Sequence, residues 1–158
     1  MNKIFYKIII LFFIFGLTSC SYEPIFLEKN YDFEIKEVIL SGNKDINRII
    51  KNKFNFVKSN EDNKNKNYII QINTKKNKET ISKDSKGDPL KFEIIILVEY
   101  KVISDGKIIL NNKIEKNNIY NNDSDQFKLE QTEEIILENL SESISGIIIS
   151  SIINLNDN

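Results

Sequence analysis

The chain has 158 residues and a net charge of -1, with 22 basic side chains, 23 acidic side chains and no histidine. This near balance gives no reason to expect nucleic-acid binding, which usually shows as a strongly basic domain. The lack of histidine removes the commonest general base and metal ligand, and the five glycines form no phosphate loop. We therefore expect a non-enzymatic protein without a metal or a dissociable cofactor.

The N-terminus has the pattern of a secretory signal. Two lysines, Lys3 and Lys7, precede the uncharged run Ile8–Leu17, IIILFFIFGL. About ten apolar residues are too few to cross a bilayer core, which takes about twenty in a helix. The run ends in Leu17–Cys20, LTSC, which resembles the lipobox of bacterial lipoproteins: an apolar residue, two small residues and a cysteine.

The lipobox resemblance implies that residues 1–19 are a cleaved signal peptide and that Cys20 carries a covalent lipid. Cys20 is the only cysteine, so no disulfide framework competes for its thiol. Several acyl chains anchor a protein stably, whereas one holds it only marginally. Ser21 replaces the aspartate that retains enterobacterial lipoproteins at the inner membrane, so we expect the periplasmic side of the outer membrane. The alternative is a transmembrane anchor with an incidental cysteine.

A lead, a strand and a helix follow the anchor. We predict that residues 20–32 form an extended lead and that residues 33–158 form a single domain with one core. The strand, 33–41, begins by alternating and then turns fully apolar, which indicates a bulge. Asp45 is predicted to cap a helix that begins near Ile46. The apolar face of this helix consists of Ile46, Ile49, Ile50 and Phe54.

Three strands follow a charged surface loop at 59–67. One face of the first strand consists of Tyr68, Ile70, Ile72 and Thr74. The main face of the second consists of Phe92, Ile94, Ile96, Val98, Tyr100 and Val102. Since Ile95 and Leu97 lie opposite, we expect the middle of this strand to be buried on both sides. Asp105 and Gly106 predict a hairpin turn into the third strand, whose apolar side consists of Ile108, Leu110 and Ile114.

The last segment, Gln126–Leu155, carries conflicting signals. Its run Ile147–Ile149 favours a strand by local propensity. Against this, five apolar residues repeat with helical spacing: Ile136, Leu140, Ile144, Ile147 and Ile148. Four glutamates line the other side: Glu130, Glu133, Glu134 and Glu138. The stretch Asp123–Gln126 resembles a capping box, and together these patterns predict a long helix.

The predicted order of elements is β-α-β-β-β-α. The first βαβ step predicts a right-handed parallel crossover, and the last three strands an antiparallel meander. We therefore predict an α+β domain in which two helices pack on one face of a four-stranded mixed sheet.

The element order and two stretches resemble the lipopolysaccharide-assembly lipoprotein family LptE, in its α-proteobacterial form. Cys20–Phe26, CSYEPIF, is similar to the mature start C-G-F-x-P-L-Y of that family. Glu99–Asn121 is similar to the family's strand, Asp-Gly hairpin and second strand that ends near a tyrosine. Ser21 departs from the usual glycine, and the last helix is rich in Ile and Ser where relatives have Ala and basic residues.

The resemblance implies that the chain acts by binding other membrane components and not by catalysis. LptE-like proteins plug the lumen of the LptD β-barrel, assist its assembly and take part in moving lipopolysaccharide to the outer leaflet. The implied partners are an LptD-like barrel, lipopolysaccharide and, through the lipid on Cys20, the membrane. A near-neutral domain with a polar surface is compatible with a barrel lumen, which is itself polar.

Lysines near the turn before Pro89 are the candidate contacts for the phosphates of lipid A. Lysine serves as a phosphate-binding point charge. The cluster consists of Lys75, Lys76, Lys78, Lys83 and Lys86. The alternative is that these lysines are solvated charges along an exposed strand.

Two other interpretations of the chain stay open. The first is an auxiliary periplasm-facing lipoprotein of another lipid or solute transport system. The second is an enzyme that uses only carboxylates, such as Glu133 and Glu134, or a Ser/Lys pair. Adjacent glutamates on a helix mostly form a solvated face, so we predict no catalytic residues.

Overall fold

The computed structural model describes residues 33–55 and 66–155, which form four strands and two helices in the predicted order. The predicted signal peptide, Cys20, the lead at 20–32, most of the loop at 59–67 and residues 156–158 lie outside the described residues. The elements are β1 (Phe33–Gly42), α1 (Lys44–Asn55), β2 (Lys66–Lys83), β3 (Pro89–Ser104), β4 (Lys107–Asn121) and α2 (Gln126–Asn154).

The strands form one sheet in the order β1-β2-β3-β4. β1 runs parallel to β2 across the α1 connection, and the pairs β2–β3 and β3–β4 are antiparallel. Helices α1 and α2 pack against each other and against the sheet. This arrangement confirms the predicted α+β fold with a mixed sheet.

The core lies between the helices and one face of the sheet. β3 contributes the largest strand share, and its side chains Ile94, Ile96, Val98, Tyr100 and Val102 are all buried. α1 buries Ile46, Ile50 and Phe54 and leaves Ile49 only partly covered. α2 buries a wider face than its spacing predicted, and the predicted core residue Ile147 is instead 39% exposed. The face widens because Leu137, Ser141 and Ser145 also turn inward against the neighbouring elements.

The second face of the sheet has no layer of described residues over it. Ile95 and Leu97 on this open face are only partly buried. The prediction that the middle of β3 is buried on both sides is therefore wrong. Both helices pack on the other face, and an antiparallel sheet tolerates one solvated side.

Two bulges shift the pairing of the edge strands. In β1 the register slips between Ile35 and Glu37, which confirms the predicted bulge. In β4 a shift beside Ile109 pairs Ile108 with Ile103, whereas Leu110 pairs with the buried Val102. Because paired residues share a face, Ile108 lies opposite Leu110, and the prediction that both share one side is wrong.

Both helix caps lie at a different residue from the predicted one. The Asn43 side-chain oxygen accepts the amide hydrogens of Asp45 and Ile46, so Asn43 caps α1 and Asp45 lies within its first turn. Asp125 caps α2 by accepting from Phe127 and Lys128. The predicted capping box at 123–126 is absent, because the helix begins only at residue 126.

Candidate interaction surfaces

The five candidate lysines are distributed over three places. Lys76 and Lys78 follow Thr74 on the helix-covered face of β2, since side chains alternate along a strand. Lys75 lies on the open face, where it pairs with Leu97. Lys83 ends β2 and Lys86 lies in the turn that follows. The structure does not gather these lysines into one cluster, and their contact with phosphates stays a prediction.

Lys78 is part of a polar cluster that joins the sheet to α2. Its Nζ lies 2.5 Å from Glu133 Oε1 and 4.3 Å from the ring centroid of Phe92. The Tyr120 hydroxyl donates to the same Glu133 oxygen at 2.7 Å. The rings of Phe92 and Tyr120 are 5.7 Å apart and tilted, so aromatic and polar contacts converge here.

The pKa values in this cluster are displaced in opposite directions. Burial acts to raise the pKa of Glu133, but hydrogen bonds from Lys78 and Tyr120 and the charges of Lys78 and Lys76 outweigh it, so the net pKa lies below its ordinary value. Burial, followed by the hydrogen bond to Glu133 and its negative charge, raises the pKa of Tyr120. At neutral pH the cluster therefore holds an ionised carboxylate between a cation and a neutral phenol.

A groove of about 510 Å³ runs beside this cluster, between α1, α2 and β2. Its acidic lining consists of Asp45, Glu130, Glu133, Glu134, Glu138 and Glu142. Its cations are Arg48, Lys53 and Lys76, and Lys53 Nζ lies 2.8 Å from Glu142. Within the described residues, no histidine, cysteine or carboxylate group is arranged to hold a metal. Glu133 and Glu134 both line the groove, but Glu134 is exposed, whereas Glu133 is held by its two partners.

The open face carries a larger and shallower concavity of about 950 Å³. Its centre is polar, and the register places Gln71, Lys101 and Asn111 in one cross-strand row. The next row contains Asn73, Glu99 and Lys113. This surface can exchange many hydrogen bonds with a polar partner.

Helix α2 is long and apolar enough to cross a membrane by length and composition. Half of the apolar stretch is buried within the domain, and Ile144, Ile148 and Ile152 are almost fully enclosed in its core. These contacts are those of a core helix.

Neither the cluster around Glu133 nor the polar centre of the open face is among the predicted sites. Glu133 resembles the other solvated glutamates of α2 in sequence, because no local pattern links it to a lysine 55 positions away. The alternation in β2 and β3 contained the signal for the open face. Because Ile95 and Leu97 are uncovered, the odd-numbered residues of β2 and β3 that pair on this face form one accessible surface.

Several solved bacterial lipoproteins have a fold similar to that of this chain. Rare lipoprotein B from Shewanella oneidensis is 22% identical with a TM-score of 0.54, and the match covers 75% of this chain and 98% of that one. Lipoprotein B from Nitrosomonas europaea is 14% identical with a TM-score of 0.60, over 85% and 94% of the two chains. The chain has the fold of these lipoproteins.

A third structure extends the likeness. A minor lipoprotein from Acinetobacter baumannii is 16% identical with a TM-score of 0.50, over 73% of this chain and 92% of that one. No protein-family model matches the sequence, and no curated protein matches it. At these identities the likeness is one of fold, and it covers nearly the whole of each solved lipoprotein.

Proposed function

We propose that this chain is an outer-membrane lipoprotein that plugs an LptD-like β-barrel, assists its assembly and helps to deliver lipopolysaccharide to the outer leaflet. One observation carries the proposal: the domain shares its fold with rare lipoprotein B over 98% of that chain. The lipobox-like LTSC stretch at residues 17–20 supports the same interpretation, because it ends in the only cysteine.

The open face supports a role inside a polar lumen. Its central rows present amide, hydroxyl and charged groups from all four strands, including Ser41 and Asn73 as well as Glu99 and Lys113. The lumen of an outer-membrane barrel is polar, so both surfaces can satisfy their hydrogen bonds across the contact. The role is that of a partner and plug and needs no catalytic group.

The lysines divide into two groups for contact with lipid A phosphates. The ammonium group of Lys78 is already paired with Glu133, so a phosphate would have to compete with that carboxylate. Lys76 is only partly exposed, and its charge also acts on Glu133. Lys75, Lys83 and Lys86 are exposed and take no part in this cluster. These three are the better phosphate ligands in the proposed function.

Depletion of the chain in living cells tests the proposal. We expect lipopolysaccharide to disappear from the outer leaflet and the amount of folded LptD-like barrel to fall. A matched strain carrying Cys20→Ala should fail to incorporate lipid label into the protein. Normal surface lipopolysaccharide after depletion would reject the proposal, and a selective defect in uptake of a solute or another lipid would favour an auxiliary transport lipoprotein.

A further inference from the structure

The register of the sheet collects isoleucines at one corner of the open face. Ile69 on β2 pairs with Ile103 on β3, and Ile103 pairs with Ile108 on β4, so the three form a cross-strand row. Ile39 on β1 pairs with Gln71, which places it diagonally beside Ile69. We call Ile39, Ile69, Ile103 and Ile108 the isoleucine patch.

The isoleucine patch is accessible because the bulge in β4 turns Ile108 to the open face. Ile108 is 57% exposed and Ile39 is 42% exposed, while Ile69 and Ile103 are partly buried. Ile109, at the shift itself, is a further 42% exposed. Scattered isoleucines on a surface need no explanation, but a contiguous apolar group beside a polar concavity is typical of an interaction site.

The isoleucine patch lies at the end of the sheet where the chain enters the domain. Phe33, the first residue of β1, pairs with Lys66, the first residue of β2. Ile69 pairs with Ile103, so the β3–β4 turn at Asp105 and Gly106 lies level with these two strand starts. Cys20 lies thirteen residues before Phe33, a tether that spans at most about 45 Å.

Charged side chains of both signs border the isoleucine patch on the described strands. Glu37 on β1 pairs with Ile69, and Asp105 lies in the β3–β4 turn. The cations on these strands are Lys36, Lys66, Lys101 and Lys107. Lysines at the rim can keep their charge in water while their methylene stems lie along an apolar surface.

We propose that the isoleucine patch docks on the lipid bilayer and so orients the anchored domain before it meets its partner. The inference rests on the lipid attachment at Cys20 in the proposed function. The tether keeps the membrane close, which raises its effective concentration at the isoleucine patch. Docking removes four neighbouring isoleucines from water, and that gain is the driving force.

The matched positions Ile108 and Ile119 test the docking. Both lie on β4, and both are exposed to a similar degree, 57% and 54%. Ile119 pairs with Glu93, which lies on the open face, at the opposite end from the β3–β4 turn. The lipidated full-length protein is purified as Ile108→Cys or Ile119→Cys, labelled with an environment-sensitive fluorophore, and reconstituted into phosphatidylethanolamine and phosphatidylglycerol vesicles. Because the Cys20 thiol is blocked by lipid, the introduced cysteine is the only free thiol.

We expect a blue shift at position 108 and a loss of emission when the vesicles contain lipid-borne quenchers. Position 119 should keep an aqueous spectrum, and Ile109→Cys serves as a second site that should follow position 108.

Flotation with the vesicles reports the anchor separately. Protein that floats with equally aqueous spectra at both positions would overturn the docking and leave the anchor intact. A blue shift at 108 without lipid quenching would mean that protein covers the isoleucine patch, and it would also overturn the docking. Protein that does not float would reject both claims.

Discussion

Tyr120, the penultimate residue of β4, donates a hydrogen bond to Glu133 on α2 across an oxygen–oxygen distance of 2.7 Å. Lys78 on β2 reaches the same carboxylate oxygen at 2.5 Å. β4 and α2, which are consecutive in the chain, therefore meet the more distant β2 at one oxygen atom. The position of the first half of α2 on the sheet depends on this carboxylate as well as on apolar packing.

Removing the Tyr120 hydroxyl should destabilise the domain measurably. We expect Tyr120→Phe to lower the free energy of unfolding by about 1–2 kcal/mol, because the lost hydrogen bond is made to a charged group at a partly exposed site. Urea unfolding measures the change. Glu133→Gln removes the charge that accepts this hydrogen bond. Its matched control is Glu134→Gln, which alters the adjacent, exposed carboxylate and should lower the free energy of unfolding by less than about 0.5 kcal/mol. Additive effects of Tyr120→Phe and Glu133→Gln would contradict the coupling.

The stability contributed by Glu133 should depend on pH. The pKa of Glu133 is lower in the folded protein than in the unfolded chain, where it has its ordinary value of about 4.3. Its stabilising effect is therefore complete above that ordinary pKa and is lost as the pH falls through the lower pKa of the folded state. The difference in unfolding free energy between the wild type and Glu133→Gln should therefore be largest at neutral pH and shrink in acid. Urea midpoints at a series of pH values measure it. A difference that stays constant into strong acid would contradict the assignment.

Gly42 should tolerate no side chain. Its φ is +95°, and a Cβ there would lie 1.9 Å from the carbonyl oxygen of Thr74. This carbonyl accepts from the Asn43 amide, and the buried Thr74 hydroxyl lies 2.9 Å from the Asn47 side-chain oxygen, so the neighbour cannot withdraw without breaking the β1–α1 corner. We expect Gly42→Ala to cost about 3 kcal/mol or more.

Gly87 provides the control for that substitution. Its φ is +91°, but a Cβ at Gly87 meets no atom within 4 Å. Gly87→Ala should therefore cost only the backbone penalty of about 1 kcal/mol. Thermal and urea unfolding of the two variants compare them directly. Equal losses would show that backbone conformation, and not the contact with Thr74, limits position 42.

Periodicity predicted most of this fold. Alternation along β2 and β3 assigned the buried Ile70, Ile72, Ile94 and Ile96 to the correct face, and the break in alternation located the β1 bulge. The β4 bulge was missed, because Ile108 and Leu110 keep the expected two-residue spacing even though the register shifts between them. The caps were misplaced because Asn43 and Asp45, like Asp123 and Asp125, are all good capping residues at neighbouring positions.

The candidate surfaces were harder to predict than the fold. A cluster such as Lys78, Tyr120 and Glu133 depends on how α2 returns over the sheet, and one sequence contains no local pattern for that distance. The five candidate lysines are close in sequence, yet strand alternation places Lys75 and Lys76 on opposite faces. Proximity along a strand is therefore a poor guide to a shared binding site.

Lys75, Lys83 and Lys86 should contribute more to lipopolysaccharide binding than other exposed lysines of the domain. We expect the triple change Lys75→Gln, Lys83→Gln and Lys86→Gln to weaken binding, since each removes a point charge available to phosphate. A matched triple at Lys36, Lys107 and Lys113 removes the same charge from other exposed sites. Binding to immobilised lipopolysaccharide at fixed salt measures both. Equal losses in the two variants would mean that only overall charge matters.

Affinity purification of the tagged chain from gently solubilised outer membranes tests its partnership with a transport barrel. We expect a large β-barrel of the LptD type to co-elute with the chain in a fixed ratio and to stay bound through size-exclusion chromatography. Recovery of the chain as a free monomer, or with subunits of an inner-membrane transporter, would rule out this partnership.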